Sequence, residues 1–170
     1  GFDANLSGWD TSKVTDMKSM FRGTDAFNNN GATGSTTTTL NWDTSSVTQM
    51  NFMFADAAAF NANISSWVTG SVTDIRNMFW KASVFNNGAS AGVSSTILSW
   101  DTSKVTHFNN MFANADAFNA DISSWDTSSL LQTYRMFKGA DVCNSDIGGW
   151  NVSIVNNMQE MFQNASAFDD

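Results

Sequence analysis

The sequence predicts an α/β repeat solenoid, with one short parallel strand plus one short helix in each repeat of about 25 residues. Three observations carry this. Tryptophans at 9, 42, 67, 100, 125 and 150 stand 33, 25, 33, 25 and 25 residues apart, a 25-residue unit with eight residues added twice. Eleven and twelve residues after each comes a Met-Phe pair, from Met20-Phe21 to Met161-Phe162. Eighteen after each stands Phe27, Phe60, Phe85, Phe118, Cys143 or Phe168. Trp80 alone among the tryptophans lies outside the series.

The helix comes from the stretch between the tryptophan and the Met-Phe pair. Val14, Met17, Met20 and Phe21 fall at i, i+3, i+6 and i+7, a helical stripe. Thr15, Thr48, Thr73 and Thr106 are candidate caps for its first amides. The small residues Ala57, Ala82, Ala115, Ala140 and Ala165 permit close stacking near its end. In the fifth and sixth repeats Leu131 and Asn156 replace the capping threonine, and Thr133 replaces the stripe's methionine, so those repeats should be less regular.

The strand comes from the other half, as in residues 60–67. Its apolar residues are three apart rather than two, which predicts a short strand with a bend. Copies pairing in parallel at about 4.8 Å per rung would make a ribbon about 30 Å long. One repeat cannot bury its stripe alone, whereas three or more can. The chain is therefore read as a single segment, 1–170, of six repeats and a piece of a longer array, because both ends fall at the same point within a repeat.

After each stacked phenylalanine comes an amide or carboxylate: Asp3, Asn28, Asn61, Asn86, Asn119, Asn144 and Asp169. Such a group at every rung reads as a structural ladder that satisfies backbone and neighbouring amides. Asp10, Asp43, Asp101 and Asp126 open Asp-Thr-Ser and read as turn chemistry. A calcium ladder would need several oxygens converging on one point, and Val68 and Asn151 interrupt the series.

Composition excludes several functions. With 42% hydrophobic and 13% aromatic residues the chain can build a core, and with 14% charged residues and a net charge of -8 it offers no phosphate-tracking surface. Its eight Lys and Arg are scattered singly, so no nucleic-acid partner is expected. No apolar run approaches the roughly 18 residues of a membrane span. His107 has no second histidine at metal spacing and reads as a solvated side chain. Cys143 takes a phenylalanine's place and reads as a packed thiol. The glycine-rich stretches 31–34 and 88–92 lack a phosphate-loop lysine and read as loops. No catalytic, metal or cofactor site is expected.

The recurring Phe-Asn-x-Asp-Ile-Ser-x-Trp-Asp-Thr-Ser-x-Val-Thr-x-Met-x-x-Met-Phe-x-x-Ala, cleanest over 85–140, resembles the surface-protein repeat first noticed in Mycoplasma lipoproteins. That family is a domain of unknown function, grouped with BspA-type leucine-rich repeats. The resemblance implies a leucine-rich-repeat-like solenoid displayed at the surface of bacteria and some marine protists, with no catalytic residues. It covers the chain outside the eight-residue insertions of repeats two and four, at about 30–37 and 88–95. Those insertions project from one face, as flexible decoration, sugar-bearing tips or contacts to a neighbouring strand, and they create a 58-residue period from Phe2 to Phe60 to Phe118.

A non-enzymatic structural or adhesive module of an extracellular fibre or cell-surface protein is the leading functional expectation, self-associating end to end or laterally into filaments. The alternative is a recognition module that binds a protein or glycan along one face, through Asn5, Ser7, Asn63, Ser65, Asp121, Ser123 and Asp146. Ice binding is disfavoured because recurrent Asp spoils a flat Thr/Ser face. Asn5, Asn63, Asn151 and Asn164 open glycosylation sequons, and Thr36 to Thr39 could carry O-linked sugar.

Overall fold

The computed structural model describes residues 1–33 and 38–169. Residues 34–37, which include Gly34 of the first glycine-rich loop and Thr36 and Thr37 of the threonine cluster, lie outside that range.

The α/β, leucine-rich-repeat-like solenoid is overturned. Among the described residues there is no α-helix, and extended pairing is limited to isolated parallel bridges such as Asp16 with Gln49, Gln49 with Asp74, His107 with Gln132 and Gln132 with Asn157. The stretch read as a bent strand contributes one bridging residue per pairing, Asn63 to Thr39 and Asp121 to Ile97. The other described residues are turns and irregular loop.

The backbone bonds explain why. In residues 50–57 the N–H groups of Met53, Ala55 and Ala57 close turns on the carbonyls of Met50, Phe52 and Phe54 at 3.1–3.2 Å. The alternate N–H groups leave the rung: Met50, Phe52, Phe54 and Asp56 donate to Asp74, Arg76, Met78 and Trp80 at 2.6–3.0 Å. A helix would spend all of these donors on its own carbonyls. Left-handed residues recur at every fourth position, Ser19 and Gly23, Phe52 and Asp56, Asn77 and Lys81, Asn110 and Asn114, Arg135 and Gly139, Glu160 and Asn164. That conformation breaks a right-handed helix and suits the third position of a tight turn. Thr15, Thr48, Thr73 and Thr106 consequently have no helix to cap. They stack instead, the N–H of Thr48 donating to the Thr15 carbonyl at 2.8 Å and that of Thr73 to Thr48 at 2.9 Å. A second run of the same kind starts at Thr106, the N–H of Leu131 donating to its carbonyl at 2.8 Å and that of Asn156 to Leu131 at 2.9 Å.

Each rung thus lays identical side chains over those of its neighbours. The six periodic tryptophans form one column, with centroids 6.1–6.3 Å apart and rings within 7° of parallel. Each buried indole N–H donates to the preceding rung, as Trp67 to the Leu40 carbonyl at 2.7 Å and Trp125 to Leu98 at 2.6 Å. Phe21, Phe54, Phe79, Phe112, Phe137 and Phe162 form a second column at 5.5–5.9 Å. Phe27, Phe60, Phe85 and Phe118 form a third, pressed against the second at 3.7–3.9 Å. Parallel offset stacking of this kind contributes about 0.5–1.5 kcal/mol per pair beyond burial.

Thr133 sits in the buried column of Met17, Met50, Ile75 and Phe108, and its hydroxyl has no hydrogen-bond partner. Thr133→Val keeps the shape and removes that orphan, so the variant is expected to gain about 1 kcal/mol in urea unfolding. An unchanged or lower midpoint would mean the hydroxyl is satisfied.

Candidate functional site

The asparagine ladder is continuous. The side-chain carbonyl of Asn28 accepts the N–H of Asn61 at 2.8 Å, Asn61 that of Asn86 at 2.7 Å, Asn86 that of Asn119 at 2.8 Å and Asn119 that of Asn144 at 2.7 Å. Asp3 and Asp169 stand at its ends. The amide nitrogens point the other way and tie down the insertions. Asn28 donates to the Ala32 carbonyl, Asn61 to Ala89, Asn86 to Ser90 and Val93, and Asn119 to Gly92. A second amide in each lengthened rung, Asn29 or Asn87, accepts the N–H of Leu6 or Ile64 from the rung before. Both insertions are thereby anchored at the root by the same pair of amides.

The polar face proposed for recognition is largely occupied with its own turns. Asn5, Asn63, Asp121 and Asp146 each accept the backbone N–H two residues on, at 2.9–3.0 Å. Ser7 and Ser65 donate to the Thr39 and Ile97 carbonyls of the insertion rungs and accept from Asn29 and Asn87. Asp121, Ser123 and Asp146 come together with Ser94, Asn119, Asn144 and Ser145 around a shallow cavity of about 250 Å³. Asn5, Ser7, Asn63 and Ser65 do not line it.

Asp10, Asp43, Asp101 and Asp126 make the turn their Asp-Thr-Ser motif implies. The serine hydroxyl, then the serine N–H, holds each carboxyl below the usual range. The intervening threonine is buried and reaches the next rung, as Thr11 to the Asp43 carbonyl at 2.9 Å and Thr102 to Asp126 at 2.8 Å. Cys143 is buried where the third column needs a ring, and burial pushes its thiol above the ordinary range. His107 is half-buried, with Nδ1 2.7 Å from the Thr106 hydroxyl. Of the sequon asparagines, Asn5, Asn151 and Asn164 are exposed and Asn63 is half-buried.

A second surface was not foreseen. At the turn corners, nine to fourteen residues past each periodic tryptophan, stand six of the eight cations: Lys18, Arg22, Arg76, Lys81, Arg135 and Lys138. Phe52, Trp80 and Tyr134 are partly exposed there. Arg22 lies 5.0 Å from the centre of the Phe52 ring, the Lys81 ammonium 4.6 Å from Trp80, and Arg135 4.7 Å from Tyr134. Glu160 is gripped by Arg135 at 2.8 and 3.0 Å and by Lys138 at 2.7 Å, which draws its carboxyl down to about 2. Arg22, Phe52, Asn77, Trp80, Asn110 and Arg135 line a groove of about 320 Å³. The available signal was Trp80, out of register with every other tryptophan, at a place where repeats should be alike.

Among known proteins, residues 1–95 and 89–170 each match the model of the family described as Mycoplasma protein of unknown function, DUF285. No curated protein and no solved structure matches the chain.

Proposed function

Because the chain belongs to the DUF285 family of Mycoplasma proteins of unknown function, a description that names no chemistry, we propose a role from its repetition: a non-enzymatic structural or adhesive module of an extracellular fibre or cell-surface protein. The observation that supports this reading is the unbroken run of three kinds of ladder, aromatic, amide and backbone, through the stack. Repetition of that kind supplies length and stiffness, since each rung added extends every column at once.

The same logic gives the mode of association. In the first rung Phe2 and Trp9 are each 53% exposed, and in the last Phe162 is 39% exposed, although their counterparts in the middle rungs are buried. A further rung stacked on these faces, from the same protein or from a second copy, would continue the columns and return the rings to the environment their equivalents occupy. Asn5, Asn151 and Asn164 are the exposed sequon asparagines and so the positions open to a surface glycan.

Electron microscopy of the native full-length protein at near-physiological ionic strength tests the proposal. The expected result is filaments with an axial repeat that is a multiple of the two-rung spacing. Short rods that stay monomeric at every concentration would sink it and leave recognition along one face as the better account.

A further inference from the structure

We propose that the aromatic and basic groove at the turn corners binds an anionic oligosaccharide, a uronate- or sulfate-bearing chain laid along the stack with a sugar ring against Trp80. The groove lies within one chain, so this goes beyond the structural role and does not depend on assembly.

Four observations converge. The first is charge. The protein carries a formal -8, yet six of its eight cations gather on this one segment of the rungs. Arg22 and Lys81 have no carboxylate partner among the described residues, and Arg135 and Lys138 share the single carboxylate of Glu160. Arg76 is paired with Asp74, and Asp56 and Glu160 are the carboxylates at the same corners, so an excess of positive charge remains there on a molecule that repels anions elsewhere.

The second is the shape of the corner. Thirteen residues past each periodic tryptophan the side chains run Arg22, Ala55, Trp80, Ala113, Lys138, Gln163. The two alanines are buried, so what this row presents to solvent is an arginine, an indole, a lysine and a glutamine spaced along the stack. Extended along the stack, such a row suits a linear polymer better than a compact ligand.

The third is the floor. Asn77 and Asn110 hold left-handed corners, with φ of 58° and 53°, and both line the groove. Their amides each present donors and an acceptor, which suits hydroxyls that both give and receive hydrogen bonds. The fourth is Trp80 itself. It replaces the alanine found at the same point in neighbouring rungs, is only half-buried, and is the one tryptophan outside the stacked column. A flat apolar ring beside cations and amides can pack against the C–H face of a sugar while the cations meet its acidic groups.

Calorimetric titration of the full chain with four hexamers decides the matter: oligo-uronate from alginate, a heparin hexasaccharide, neutral cellohexaose and hexa-aspartate. Binding is expected for at least one anionic saccharide, weakening as salt rises. Which of the two binds assigns the acidic group as carboxylate or sulfate. Trp80→Ala should weaken binding about tenfold or more, and Arg22→Gln, at an exposed position, should weaken it and flatten its salt dependence. Ser123→Ala, on the other face, should bind as the parent does. The proposal fails if neither anionic saccharide binds, if cellohexaose or hexa-aspartate binds as tightly, or if both groove variants keep parental affinity.

Discussion

Truncating Phe85 to alanine is expected to lower the unfolding free energy by about 3–5 kcal/mol, the largest loss of any single side chain discussed for this molecule. Phe85 is fully buried; it lies 3.8 Å from Phe79 and stacks between Phe60 at 5.8 Å and Phe118 at 6.1 Å. Its removal takes away transfer energy and also leaves a void. That void cannot readily collapse, because the rungs above and below are held apart by backbone bonds such as Phe79 N–H to the Met111 carbonyl at 3.0 Å. Phe162→Ala, at a ring 39% exposed on the last rung, supplies the comparison and should cost about 1 kcal/mol. Denaturant unfolding of the two variants measures the difference. Equal losses would contradict the column as the source of stability, since position in the stack is what separates the two rings.

Asn86→Ala should cost about 1–3 kcal/mol and should act locally as well as globally. The Asn86 side chain accepts the Asn119 N–H at 2.8 Å and donates to the Ser90 and Val93 carbonyls at 2.6 and 2.9 Å. Losing it strands the buried Asn119 N–H, an unsatisfied group worth about 1–3 kcal/mol, and releases the carbonyls of Ser90 and Val93, both exposed residues, to water. Hydrogen exchange should show faster exchange at the Asn119 amide and a loosened insertion. Asn86→Asp separates the roles: it keeps the acceptor but loses both donors and places a carboxylate where the native residue is fully buried. Burial would raise the introduced carboxyl above its unfolded value, so that variant should regain stability as pH falls through the raised folded pKa. Asp occurs in the native ladder only at Asp3 and Asp169, where water can carry the charge. Unchanged protection of the Asn119 amide in Asn86→Ala would remove the ladder from the account of stability.

The ladder and the columns were legible because a repeated side chain at fixed spacing stacks most economically on its own copy. Trp67, Phe85 and Asn86 could be paired with their equivalents before any coordinate was known. Cys143 could be placed in a phenylalanine's column for the same reason. The helix was misread because overlapping turns bring residues such as Met50, Met53, Phe54 and Ala57 inward at the same three- and four-residue intervals as a helix. Spacing alone does not distinguish the two. A discriminating signal was present at Gly23, Asp56, Asn114, Gly139 and Asn164, where residues tolerant of a left-handed backbone recur in five of the six rungs, Lys81 taking the place in the third. The aromatic and basic groove was illegible for a different reason. Arg22 and Trp80 share one stacked position and Phe52 and Arg135 another, but their side chains differ from rung to rung, so no recurring residue type marks the groove and only the stacking of rungs brings them together.

The amino-acid sequence by itself determined the period, the identity of every column and the place of the two insertions, because these follow from which side chains recur and where. The tertiary structure alone decided whether each backbone N–H would bond within its rung or across to the next. That choice rests on a neighbouring rung with carbonyls already in position, which no single repeat contains, and it converted an apparent helix into a staircase of turns whose corners carry the groove.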